Sequence, residues 1–138
     1  MPANTIPIFS RLGDVQWGAA NLNSANTAKD GTGTVTTIFT ADSSNGGYVE
    51  KVMFSSAGTN VATVGRIFIN NGSSNTVAAN NILFAEITLS ATTVSEVSAQ
   101  PPYIIPMNVA LPAGFKVNCT LGTTISAGYF ISAVGGKY

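Results

Sequence analysis

Chemistry near neutral pH needs a proton acceptor, a nucleophile or a metal cage, and few residues of this chain supply one. Its acids are Asp14, Asp30, Asp42, Glu50, Glu86 and Glu96, its single cysteine is Cys119, and it has no histidine. Without histidine the usual general base, most zinc and copper sites, and the Ser-His-Asp and Cys-His relays are missing. Glycoside hydrolysis would need two acids converging on one bond, yet these fall singly, in turns or at alternating strand positions. Asp30-Gly31-Thr32-Gly33 begins like an oxygen-rich calcium loop but lacks the further acids such a loop requires. No glycine cluster opens a helix, so no phosphate cradle is formed. Asn71-Gly72-Ser73 and Asn118-Cys119-Thr120 match the glycosylation pattern, as a chain rich in Asn, Ser and Thr does by chance. Trp17, Tyr103, Tyr129 and Tyr138 are the aromatic faces a carbohydrate platform would use, and equally core fillers or interface anchors. The chain reads as a non-enzyme, with no catalytic residue, cofactor or metal.

The totals describe the scaffold. A chain of 138 residues is one domain, long enough to bury a core without a disulfide or metal staple. Apolar residues make up 45% and charged ones only 9%, against ~25% in ordinary globular chains. The polar share is Ser, Thr and Asn, suited to turns and half-wet strands, and Val, Ile, Thr and Phe suit pleated surfaces. Six basic and six acidic residues cancel, with no basic stripe to neutralise phosphates, so nucleic acid is not a partner. Low, balanced charge fits a chain that lives in an assembly. No apolar run is long enough to span a membrane. No signal peptide is visible, which points to synthesis in a cytoplasm. Cys119 reads as a small buried hydrophobe.

Period-two alternation and turn chemistry then place the strands. Strands are expected over 34–41, 48–56, 61–69 and 82–89, the second with a bulge because its alternation is imperfect. Asn70-Asn71-Gly72 is the clearest hairpin signal, and if Arg66 before it lies opposite Glu86 of the return strand, the two would form a cross-strand ion pair. A short polar strand is expected over 92–99. Pro101, Pro102 and Pro106 confine 100–106 to an edge or a corner between sheets. Phe115, Val117, Cys119 and Leu121 alternate with Lys116, Asn118 and Thr120. This predicts a strand with one wet face, forming a terminal hairpin with the run 129–134. About eight short strands and no helical period predict an all-β, antiparallel β-sandwich, with a jelly roll the favoured topology.

Two stretches carry candidate contacts. Residues 1–12 form an extended arm, because Pro2 and Pro7 block a helix. Ile6, Ile8 and Phe9 make the arm apolar, Arg11 follows, and such an arm needs a surface to lie on. Trp17, the one tryptophan, joins it as a candidate contact. The sandwich domain itself is 13–138, and the polar loop 21–33 is a candidate surface loop.

The segments Asn70-Asn71-Gly72-Ser73-Ser74-Asn75-Thr76, Leu111-Pro112-Ala113-Gly114-Phe115-Lys116-Val117 and Leu121-Gly122-Thr123-Thr124-Ile125-Ser126-Ala127-Gly128-Tyr129, with the ending Val134-Gly135-Gly136-Lys137-Tyr138, resemble small jelly-roll virion proteins of tailed bacteriophages. These are of the head decoration, or cement, type. The resemblance spans roughly 60–138 and rests on turns and strands, so no binding residue carries over from it. It implies a capsid decoration subunit on the outer surface of the head, in the virion. Its partners would be the major capsid protein and its own copies, as a trimer ahead of a dimer. The alternative is a receptor- or glycan-binding head of a tail or fibre component, whose Asn-rich loops would hydrogen-bond sugars.

Overall fold

The computed structural model describes residues 12–138. Eight strands follow in order: β1 Leu12–Trp17, β2 Thr36–Thr40, β3 Gly47–Ser56, β4 Thr63–Asn70, β5 Asn81–Leu89, β6 Tyr103–Leu111, β7 Lys116–Leu121 and β8 Tyr129–Lys137. The helical content of the described residues is one 3-10 turn, Ala78–Asn80, so no helix there is long and apolar enough to cross a membrane. The arm residues Ile6, Ile8, Phe9 and Arg11 lie outside the described residues, and Leu12 opens β1.

Two four-stranded antiparallel sheets form, ordered β1-β8-β3-β6 and β2-β7-β4-β5. The first strand pairs with the eighth, the second with the seventh, the third with the sixth and the fourth with the fifth. That is a long hairpin rolled over on itself, the jelly-roll order expected from the strand count. Every connection crosses between sheets except the one joining β4 to β5. That hairpin carries the Asn-Gly signal, and Gly72 takes the left-handed conformation (φ 90°) that such a turn needs.

The inner faces of both sheets fill one core. Val49, Val52 and Phe54 meet Ile67, Val117, Cys119 and Leu121, all fully buried. Phe54 and Tyr129 pack edge to face at 6.3 Å and 76°, the geometry aromatic quadrupoles favour. The expected bulge in β3 lies between Val49 and Lys51, where the register shifts against both neighbours. β6 incorporates Pro106 and is an outermost strand, where a missing N–H breaks no ladder.

Three expectations are corrected. The runs 115–121 and 129–134 form no hairpin: β7 lies in the second sheet and β8 in the first. The outward side of β7 is not wet, because Asn118 and Thr120 are as buried as Cys119. The loop 70–75 stands over Asn118, and the buried Arg66 side chain lies beside Thr120 on the neighbouring strand. Residues 92–99 hold a single bridge, Asn60 to Thr92, and no strand.

Candidate interaction face and polar cleft

Residues paired directly across an antiparallel ladder project to the same face, so the register defines what each outer surface presents. On the first sheet Ile131 and Ala133 point into the core, leaving Phe130, Ser132 and Val134 outward. Trp17 pairs with Ser132, Ser132 with Met53 and Met53 with Ile104. The next row runs Val15, Val134, Lys51 and Pro106. Phe130 stands beside them opposite Ser55. Trp17 is 68% exposed, Phe130 59% and Val15 56%. The outer surface of the first sheet is therefore a mostly apolar plane with one cation, Lys51, in these rows. Patches of this kind on a soluble domain mark interaction sites.

β1 runs against the usual pattern. Its apolar residues Val15 and Trp17 face out, while Gln16 faces in beside Ala133. Gln16 donates from Nε2 to the Thr40 carbonyl at 3.0 Å and accepts from the Thr40 N–H at 2.9 Å. It thus ties the edge of the first sheet to the edge of the second. The Trp17 indole is held at the rim by a strand that is itself clamped.

The second sheet presents the opposite surface. Val117 and Cys119 enter the core, so Lys116 and Asn118 face out, level with Asn70 and Thr37 on the flanking strands. The loop 70–75 rises over them and encloses a cleft of about 200 Å³. Thr37, Asn70, Ser73, Ser74, Lys116 and Asn118 line it, with no acid and no aromatic ring among its walls. Asn70 and Asn118 are 1% and 2% exposed. Asn70 is fully engaged, donating to Asn81 Oδ1 at 2.7 Å and accepting from the Gly72 N–H at 2.8 Å. Asn75 fixes the loop from above, donating to the carbonyls of Gly31 and Gly33.

The described residues hold no group of three or more Cys, Asp or Glu able to cage a metal. Cys119 is fully buried, and burial pushes its thiol well above the usual range, so it is no nucleophile. Asp30 and Asp42 are held below the usual carboxylate range by hydrogen bonds from Thr32, and from Asn45 and Ser44, within their own turns. Both Asp30 bonds come from Thr32, within the loop 30–33.

Of the sequence-predicted contacts, Trp17 is exposed on the apolar plane, and the four arm residues fall outside the described region. Tyr129 is core and Tyr103 lies on the inner side of β6, so neither joins Trp17 in a platform. The apolar partners of Trp17 (Val15, Met53, Ile104, Phe130) carried no signal in the sequence, because only the strand order makes them neighbours. The chain matches no protein-family model, no curated protein and no solved structure.

Proposed function

We propose that this chain is a non-enzymatic structural subunit of a tailed-bacteriophage head, a decoration or cement protein that binds the major capsid protein. One observation carries the reading: the exposed apolar plane of the first sheet, with Trp17 at its rim. Large exposed aromatics surrounded by smaller apolar groups are the usual anchors of protein interfaces. The resemblance of 60–138 to cement-type virion proteins supports the choice of partner. Leu12 opens β1 three rungs from Val15, and on this reading Ile6, Ile8, Phe9 and Arg11, which precede it in sequence, extend the same contact. Binding is to the outer surface of the shell, by copies that self-associate as trimers or dimers.

The test is occupancy on purified heads lacking the protein. Trp17→Ala with Phe130→Ala is expected to lower occupancy by a factor of about 30 or more, the effect of losing ~2 kcal/mol of anchor energy. Phe9→Ser with Ile8→Ser gauges the arm separately. Unchanged occupancy for the first variant overturns the docking face. Saturation at a handful of copies per particle, instead of hundreds, overturns the decoration role in favour of a tail component.

A further inference from the structure

We propose that the polar cleft of the second sheet binds one carboxylate-bearing sugar unit, with Lys116 and Asn118 taking the acid group. Asn118 Oδ1 accepts from Thr37 Oγ1 at 2.7 Å, while its Nδ2 has no acceptor among the described residues. That amide opens into the cleft that Asn118 lines, where it is free to donate to a ligand. Lys116, on the same strand and the same face, also lacks a carboxylate partner, since the one ion pair among the described residues joins Arg66 to Glu86. Two donors, one of them cationic, therefore line a space whose walls hold no acid. An anionic acceptor satisfies both.

Size and wall chemistry narrow the ligand. A volume of about 200 Å³ is roughly seven waters at ~30 Å³ each. That is several times the room a lone carboxylate fills, and it is well below the ~300–1,000 Å³ of drug-sized pockets. The surplus is lined by the hydroxyls of Ser73 and Ser74, which both donate and accept as a polyol requires, and by Thr37 Oγ1, which gives its proton to Asn118 and keeps an acceptor lone pair. No aromatic ring offers a stacking surface, so a neutral sugar gains little apolar contact and the acid group supplies the selectivity. A hexuronate ring meets each of these conditions.

The cleft lies on the outer face of the second sheet and the apolar plane on the outer face of the first. On the capsid reading, a subunit seated by the apolar plane turns the cleft away from the shell, toward whatever the particle meets. Only this orientation rests on that reading; the binding does not.

The experiment is an amide NMR titration of the full chain at low salt. The probes are the methyl glycosides of glucuronate and glucose, with acetate as a third. Glucuronoside is expected to shift amides within 72–75 and 116–118 saturably, with a Kd about tenfold below that of the glucoside. Lys116→Gln, an exchange at a half-exposed strand end, should erase that tenfold. Ser73→Tyr, at the exposed loop, should fill the cleft and abolish the shifts. Acetate binding as tightly as glucuronoside overturns the sugar assignment and leaves a site for an acidic side chain. No saturable shift with any probe, or an unchanged Kd in Lys116→Gln, overturns the site. Head occupancy of Ser73→Tyr stays at the wild-type level if the apolar plane does the docking, so the cleft and the capsid reading fail separately.

Discussion

Arg66 and Glu86 stand directly opposite each other on β4 and β5, and Arg66 Nε donates to Glu86 Oε1 at 2.7 Å. The guanidinium is buried and the carboxylate half-exposed, so the pair sits at the boundary between the covered and the wet parts of the outer face of the second sheet. Arg66 Nη1 and Thr120 Oγ1, its cross-strand neighbour on β7, are both buried without partners. Glu86 is therefore the only hydrogen-bonding side-chain partner the buried cation has among the described residues.

Removing the acid alone should cost more than removing the pair. Glu86→Ala leaves a desolvated guanidinium unpaired and is expected to lower stability by about 2–3 kcal/mol. Arg66→Met combined with Glu86→Ala should recover most of that loss, because an apolar side chain of similar length fills the site without a charge. Urea unfolding of the single and double variants measures both. A Glu86→Ala cost below ~0.5 kcal/mol would show that solvent screens the pair.

Two glycines on adjacent rungs of the first sheet predict opposite outcomes. Gly135 pairs with Asp14 and Gly13 with Gly136. A Cβ on Gly135 would fall inside the carbonyl oxygen of Tyr48, at the β3 bulge where the two backbones close up. A Cβ on Gly13 meets nothing within 4 Å. Gly135→Ala should destabilise by about 3 kcal/mol or more, through forced separation of β3 and β8 at the centre of the sheet. Gly13→Ala should be neutral or slightly stabilising, since Ala restricts the unfolded chain more than Gly does. Thermal melts of both variants decide the matter, and equal effects would refute the close approach.

What the sequence disclosed follows from how local each signal is. The β4–β5 hairpin was readable from its Asn-Gly signal, but the Arg66–Glu86 register was not, because ten residues join the two strands and no tight turn sets their alignment. The eight-strand sandwich was readable from turns and alternation. The pairing of β7 and β8 with other strands was not, because alternation says a strand has two faces but not which sheet it joins. Burial of Asn118 and Thr120 depends on residues more than 40 positions away, the loop 70–75 and Arg66. β1 escaped notice for a different reason: Asp14 and Gln16 take its inward positions, so its hydrophobic pattern is reversed. Trp17 stood out as a candidate contact by residue type alone, whereas the plane around it and the cleft on the other sheet exist only once the jelly roll brings distant strands together.

Alkaline pH should unfold the protein through Cys119. Burial raises its thiol pKa in the folded state, so above about pH 8.5 the unfolded chain loses a proton that the folded chain keeps. The unfolded state then binds fewer protons, and stability falls as pH rises, by up to ~1.4 kcal/mol per pH unit. Tyr129, also raised by burial, adds to the decline from about pH 10. Cys119→Ala should be about 1 kcal/mol less stable at pH 7, for the small void it leaves, yet its stability should be nearly flat between pH 8.5 and 10. Urea melts across that range test the slope. A variant that declines as steeply as the wild type would exonerate the thiol.

Asn60 should prove the most sensitive polar residue of the fold. It is buried where three connections meet: its own between β3 and β4, the one after β5, and the crossing from β7 to β8. Its Oδ1 accepts from the Ala127 and Gly128 N–H groups at 3.0 and 2.9 Å, and its Nδ2 donates to the Gly128 carbonyl at 3.0 Å. Its backbone exchanges hydrogen bonds with Thr92. One side chain thus satisfies backbone groups that no sheet ladder reaches, at a corner where water has little access. Asn60→Leu keeps the volume and strands the Ala127 and Gly128 N–H groups, while the Gly128 carbonyl keeps the Ala57 N–H. A loss of about 3–4 kcal/mol is therefore expected, at ~1–3 kcal/mol for each N–H left bare. Asn60→Asp retains the acceptor and loses the donor, placing a carboxylate against the Gly128 carbonyl. It should cost about as much at pH 7 and recover partly below pH 4, when the protonated acid can donate again. Unfolding curves at the two pH values check both statements. A mild Asn60→Leu, losing under ~1 kcal/mol, would mean that water replaces the side chain at this corner.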